Sequence, residues 1–129
     1  MGNIYKATCP ECGYDTQLHL GGGLNSIDPS FLLRCADEKD RTEIIKLQEY
    51  GIKHIIGENR LLSCCDCSKG ELSESLIIDL KDKDGILHTF GRDCPKCGRA
   101  REILDISQDV VCPRCGKGAL RFDINGHWD

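Results

Sequence analysis

The chain has 129 residues, about the length of one domain, and ordinary hydrophobic side chains are scarce in it. Hydrophobic residues reach 40% only because ten cysteines are counted among them, and aromatic residues make up 5%. The net charge of −4 argues against a general nucleic-acid binder, whose surface would be basic. No apolar run can span a bilayer, and the first residues lack the apolar stretch of a signal peptide. We therefore expect a cytoplasmic protein with reduced cysteines and no membrane partner.

The first half of the chain is predicted to alternate strands and helices. The expected strands cover residues 4–7, 17–20, 52–56 and 61–62. Asp28 and Pro29 have the residue types of an N-cap and a first helical position, and predict a short helix through Leu33. A longer helix is predicted over about residues 38–50, with Gly51 in the position that commonly ends a helix.

The second half of the chain is predicted to contain only strands. Residues 76–80 and 86–90 flank a turn at 82–85 and predict a β-hairpin. Two further strands are expected over 101–106 and 120–124.

Eight of the ten cysteines fall in pairs with Cys-x-x-Cys spacing. The pairs are Cys9/Cys12, Cys64/Cys67, Cys94/Cys97 and Cys112/Cys115. Two thiolates three residues apart bind one metal ion at about 2.3 Å if the chain turns tightly between them. In three pairs proline follows the first cysteine and glycine follows the second, which favours that turn. Because two such turns complete a tetrahedral set of four thiolates, the sequence predicts two metal ions per chain.

The repeated Cys-Pro-x-Cys-Gly motif resembles the zinc knuckle of the zinc-ribbon and rubredoxin-like families. Residues 94–124 resemble a whole compact ribbon, with fourteen residues between its two cysteine pairs. Residues 9–67 resemble a ribbon only at the first knuckle, because fifty-one residues separate Cys12 from Cys64. The resemblance implies closed, structural four-cysteine sites in modules that bind nucleic acid, polymerases or other proteins.

These features predict a small, β-rich α+β protein built from two metal-stapled zinc ribbons. The expected division is an N-terminal ribbon over 1–67 with a helical insertion over about 28–50, a connecting β-hairpin over 68–91, and a C-terminal ribbon over 92–129. Zinc is the preferred metal, although iron fits the same ligand spacing. Each structural zinc ion would supply on the order of 10 kcal/mol of folding free energy.

Two questions about the ligands stay open on sequence alone. The second pair lies in Cys64-Cys65-Asp66-Cys67-Ser68, which lacks proline and glycine, so Cys65 is an alternative ligand to Cys64. Consecutive pairing joins the first pair to the second and the third to the fourth. Cross-braced pairing joins the first to the third and the second to the fourth. We favour consecutive pairing, because residues 94–115 have ribbon-like spacing by themselves.

The other chemically reactive residues form no recognisable catalytic pattern. Cys35 is expected to be a small buried hydrophobe at the end of a helix. His19, which precedes Gly21-Gly22-Gly23, is the most suggestive of the four histidines, but they share no metal-ligand spacing. Four-cysteine sites leave no position for a substrate, so an enzyme is the minority expectation. The corresponding alternative is a metal-delivery or redox factor that uses His19, Cys35 or Cys65.

The last third of this acidic chain is locally basic. Residues 94–121 carry six Lys or Arg against three Asp or Glu. The basic residues are Lys96, Arg99, Arg101, Arg114, Lys117 and Arg121. They could contact nucleic acid, but no aromatic residue interleaves them for base stacking, and we favour the view that they offset the charge of zinc thiolates. We therefore expect a zinc-binding module that contacts another protein, with nucleic acid or an RNA polymerase as the alternative partner. The oligomeric state is left open.

Overall fold

The computed structural model describes residues 2–22, 27–64 and 72–128, and the structural statements below refer to these residues. They form seven strands and two helices. The elements are β1 (Gly2–Thr8), β2 (Asp15–Gly21), α1 (Pro29–Cys35), α2 (Glu38–Tyr50), β3 (Ile52–Ser63), β4 (Leu72–Asp82), β5 (Leu87–Phe90), β6 (Glu102–Leu104) and β7 (Arg121–Trp128). All strand pairs are antiparallel, so the predicted β-rich α+β class is confirmed at this level.

The predicted elements have counterparts in the structure, and α2 matches its predicted bounds. Asp28 caps α1 because its carboxylate accepts a hydrogen bond of 3.0 Å from the backbone N–H of Ser30. Gly51 ends α2 with a φ of +124° and donates its N–H to the carbonyl of Leu47. The two strands expected over 52–56 and 61–62 are one continuous strand, β3.

The strands form one sheet in the order β5-β4-β3-β2-β1-β7, and β6 also pairs with β3. The first and last strands are neighbours, with Thr8 opposite Arg121 where β1 ends and β7 begins. β6 pairs with the end of β3, where Glu102 lies opposite Ser63. Strands from the predicted N-terminal and C-terminal parts of the chain thus lie side by side in the same sheet.

Two clusters of buried side chains support the sheet. In the helical cluster α1 and α2 pack on β3 and β4; its buried members are Leu32, Ile44, Ile55, Ile78 and Leu80. The cysteine cluster lies around β1, β2 and the start of β7; its buried members are Ala7, Cys9, Leu18, Leu20, Leu61, Val110, Cys112 and Leu120. Cys9 and Cys112, which belong to two different Cys-x-x-Cys pairs, are therefore part of a hydrophobic core. The buried residues of the helical cluster include no cysteine.

The helical cluster depends on a close approach of α1 to β3 at Gly57. A Cβ atom on this residue would lie 2.3 Å from a methyl carbon of Leu32, which is fully buried. Replacing Gly57 by Ala should lower the free energy of unfolding by about 1–3 kcal/mol, because the core is overpacked there. Urea titration of the metal-loaded protein measures the change. Gly126→Ala is the control, since its Cβ would make only an ordinary contact of 3.5 Å with Ile4; equal stability of the two variants would contradict the prediction.

Candidate metal centres

The first candidate centre brings together cysteines from opposite ends of the chain. The sulfur atoms of Cys9, Cys12, Cys112 and Cys115 all lie within 4.8 Å of one another. The Sγ–Sγ distances are 3.7 Å for Cys9 and Cys115 and 3.7 Å for Cys12 and Cys112. A tetrahedral ion with metal–sulfur bonds of about 2.3 Å has sulfur–sulfur edges of about 3.8 Å. The four sulfur atoms, all in free cysteines, therefore fit one tetrahedral metal ion.

The sheet explains why these four cysteines meet. Cys9 and Cys12 lie in the turn between β1 and β2, directly after Thr8. Cys112 and Cys115 lie just before β7, which begins at Arg121 opposite Thr8. The pairing of β1 with β7 thus places the two cysteine turns next to each other at one end of the sheet.

The three Cys-Pro-x-Cys-Gly segments share one backbone geometry. In each, the glycine donates its N–H to the carbonyl of the first cysteine. The N–O distances are 3.0, 2.8 and 2.9 Å in chain order. The three glycines have positive φ values of 78°, 77° and 66°. They are Gly13, Gly98 and Gly116. The tight turn predicted from the proline and glycine positions is confirmed.

Backbone N–H groups close to Cys112 and Cys115 stabilise the thiolate forms of these two residues in the first centre. Those of Gly118 and Lys117 lower the pKa of Cys115 to about 6, although burial acts in the opposite direction. Burial raises the pKa of Cys112, but N–H groups of its own turn outweigh it and lower the pKa below its ordinary value. At Cys12 the N–H of Tyr14 lowers the pKa, whereas burial and the neighbouring thiols raise it to about 11. A metal ion must therefore displace protons from this centre when it binds.

Gly118 permits the two turns of the first centre to approach each other. A Cβ atom on this residue would lie 2.7 Å from Cγ of Glu11 and 3.0 Å from Sγ of Cys9. Its own carbonyl accepts the N–H of Cys112 at 2.8 Å. No signal in the sequence marks Gly118, because it stands outside the five-residue motif and its role depends on the distant Cys9.

The second candidate centre contains three described cysteines, Cys64, Cys94 and Cys97. The Sγ atoms of Cys64 and Cys97 are 3.6 Å apart, which again matches a tetrahedral edge. Cys64 directly follows β3, whose last residue pairs with β6. That pairing returns the chain after the Cys94–Cys97 turn to the end of β3. The remaining predicted ligand, Cys67, and its neighbour Cys65 lie outside the described residues.

The preferred pairing of the cysteines is wrong. The structure groups the first pair with the fourth, and Cys64 of the second pair with the third pair, so the two centres are nested along the chain. Neither consecutive nor cross-braced pairing has this form. The ribbon-like spacing of residues 94–115 is misleading because β6 pairs with β3 and β7 pairs with β1, which separates the two cysteine pairs of that segment.

Cys35 and the histidines stand apart from both centres. Cys35 is exposed, so its predicted burial is wrong: it is the last residue of α1, and Leu32 fills the core instead. His19 lies 3.8 Å from a carboxylate oxygen of Glu74, and its ring stands edge-on to that of Trp128. Within the described residues, both metal-compatible groups consist of cysteines alone.

The six basic residues of 94–121 do not form a uniform surface. Arg101 is only 7% exposed, and its guanidinium donates hydrogen bonds to the carbonyls of Gly91 and Arg92. Arg121 is exposed and lies 3.3 Å from a carboxylate oxygen of Asp123. Arg114 lies over the ring of Tyr14. The six residues, which the sequence treats alike, therefore have different environments, and Arg101 alone among these three is buried.

Comparison with protein-family models, curated proteins and solved structures finds no match to this chain. In the described part of the chain, no helix has the length and apolar character needed to cross a membrane.

Proposed function

We propose that this protein is a binding module whose fold is stabilised by two zinc ions, each held by four cysteines. The observation that carries the proposal is the tetrahedral spacing of four sulfur atoms contributed by both ends of the chain. An ion there would join the β1–β2 turn to the segment before β7 and so hold the terminal strands together. The burial of Cys9 and Cys112 favours a closed, structural site over one that admits a substrate.

We further propose that Cys67 completes the second centre with Cys64, Cys94 and Cys97. Cys64 and Cys67 keep the spacing that the other three pairs share. The described member, Cys64, is buried and already lies at a tetrahedral edge distance from Cys97. This favours Cys64 itself, and not Cys65, as a ligand. Zinc is the proposed ion at both centres, because it has no geometric preference that conflicts with four thiolates.

Elemental analysis of the purified protein tests the metal proposal. The unmodified chain should contain two zinc ions. Cys67→Ser should leave one, because it removes the fourth ligand of the second centre, whereas Cys65→Ser should leave two. The reverse result for the two variants would identify Cys65 as the ligand. A metal-free protein with oxidised cysteines would refute the proposal. Slow loss of zinc to a weak chelator would count against a metal-delivery role, which requires fast exchange.

A protein partner is the proposed target of the module. Ile86 lies just before β5 and Leu87 is its first residue; these adjacent side chains are 57% and 55% exposed. We take these two exposed aliphatic side chains as the proposed contact point for the partner. The nucleic-acid alternative has less support, because Arg101 is buried and Arg121 is paired with an acidic neighbour. A cytoplasmic location stays a prediction.

Heparin and RNA retention separate the two kinds of partner. We expect no salt-sensitive retention of the zinc-loaded protein on either matrix, because the net charge is −4 and the basic residues are dispersed. Elution with increasing salt measures it. Retention that is lost in Lys96→Glu and Lys117→Glu, but kept in Lys46→Glu on α2, would support nucleic-acid binding instead.

A further inference from the structure

Arg101 is a buried cation with an unusually complete set of hydrogen bonds. Its Nη2 donates to the carbonyl of Gly91 at 2.9 Å, and its Nε donates to the carbonyl of Arg92 at 3.1 Å. The same guanidinium donates to the hydroxyls of Ser73 and Ser75 at 3.3 and 3.4 Å. A planar guanidinium offers five N–H groups in a fixed fork, so one side chain can hold several segments in register.

The acceptors lie on β4, which pairs with the strand leading to Cys64, and in the segment leading to Cys94. Ser73 lies on β4 opposite Leu62 of β3, two residues before Cys64. Gly91 and Arg92 lie just before Cys94. Arg101 therefore connects β4, the partner of the strand that leads to Cys64, with the base of the turn that carries Cys94 and Cys97.

Arg92 reinforces the same connection. Its Nε and Nη2 donate to the carbonyl of Arg101 at 3.2 and 3.0 Å, while the backbone N–H of Arg101 donates to the carbonyl of Arg92. Asp93 and Ala100 form an isolated antiparallel bridge between these residues and the turn. The base of the turn is thus closed by hydrogen bonds and is attached to β4 by the guanidinium of Arg101.

Arg101 lines one cavity beside the second centre and another beside acidic residues. A cavity of about 210 Å³ is bordered by Arg101, Lys96 and the ligands Cys64 and Cys94. A second cavity, of about 460 Å³, is lined by Arg101 together with Asp40 and other residues. Among the described residues no carboxylate lies within 4.0 Å of the guanidinium. Four thiolates around a divalent ion carry a charge of about −2, which a buried cation beside them offsets.

We propose that Arg101 is a positioning residue for the second metal centre, where it fixes Cys94 and Cys97 against Cys64 and supplies a nearby positive charge. The inference rests on the proposed function, because it requires that this centre binds a metal ion. The first centre needs no such residue, since its two turns are held together by the pairing of β1 with β7. Loss of Arg101 should therefore weaken one centre and leave the other unchanged.

Cadmium titration of the full chain, followed by ¹¹³Cd NMR, tests the proposal. Each centre should give its own cadmium signal, assigned by its loss in Cys112→Ser or in Cys94→Ser. Arg101→Gln should weaken cadmium binding at the second centre by about 10–100-fold, the usual effect of removing a group that orients metal ligands. Arg101→Lys should not restore it, because one ammonium cannot reach acceptors on both segments. Arg121→Gln is the control and should keep both signals, because Arg121 is exposed and lies on β7 beside Asp123.

The outcomes separate this inference from the proposed function. Unchanged affinity of the second centre in Arg101→Gln, or equal weakening of both centres, would overturn the positioning role. If Arg101→Gln does not fold, the double variant Ser73→Ala/Ser75→Ala replaces it; selective weakening of the second centre supports the role, and unchanged binding overturns it. Absence of a second cadmium signal from the unmodified chain would refute the proposed function itself.

Discussion

Replacing Cys9 and Cys112 together by serine should remove one zinc ion from the chain, the same loss that either single replacement causes. The two residues belong to one centre, in which four sulfur atoms lie within 4.8 Å of one another. Once Cys9 is replaced, the centre is incomplete, so the second replacement has nothing further to disrupt. Zinc content by elemental analysis should be two ions for the unmodified chain and one for each of these three variants.

Two further variants make the measurement decisive. Cys9→Ser combined with Cys94→Ser should remove both ions, because these cysteines lie in different groups. Cys35→Ser should keep both, because Cys35 is exposed and belongs to neither group. Consecutive pairing would place Cys9 and Cys112 in different centres, so a metal-free Cys9→Ser/Cys112→Ser variant would contradict the nested arrangement.

The nested arrangement of the two centres could not be predicted from the sequence, whereas the geometry of each cysteine turn could. A turn such as Cys112 to Gly116 is decided by residues within five positions, where proline and glycine favour particular φ values. Helix ends are decided over similar distances, as at Asp28 and Gly51. Which turns meet depends on which strands become neighbours, and the pairing of β1 with β7 joins residues more than a hundred positions apart. Spacing along the chain carries little information about such contacts.

The burial of Arg101 likewise depends on distant residues and could not be predicted from its local sequence. In the sequence it resembles the other five basic residues of 94–121, and Arg121 has the same residue type. Its burial follows from the position of β4, whose Ser73 and Ser75 are more than twenty-five residues away in the chain. Cys35 is the converse case: its residue type is typical of burial, but it lies at the very end of α1.

Removal of the metal ions should unfold the cysteine cluster before the helical cluster. Structural zinc supplies on the order of 10 kcal/mol per ion, and a domain of this size has a total stability of about 5–15 kcal/mol. The cysteine cluster includes Cys9 and Cys112. Loss of the ion therefore leaves mutually repelling thiolates, or thiols with no bound metal, inside a hydrophobic core. The helical cluster has no cysteine among its buried residues.

Amide hydrogen exchange after addition of a strong chelator measures this difference. Protection should be lost in β1, β2 and β7, and more of it should survive where α1 and α2 pack on β3 and β4, because Leu32 and Leu80 stay buried there without a metal ion. Lowering the pH should act in the same direction as the chelator, because protons compete with zinc for the thiolates. Reloading with zinc should restore protection in all strands, which controls for irreversible damage. Equal loss of protection in both clusters would show that the sheet unfolds as one unit, and unchanged protection in β1 and β7 would show that the first centre does not hold the terminal strands together.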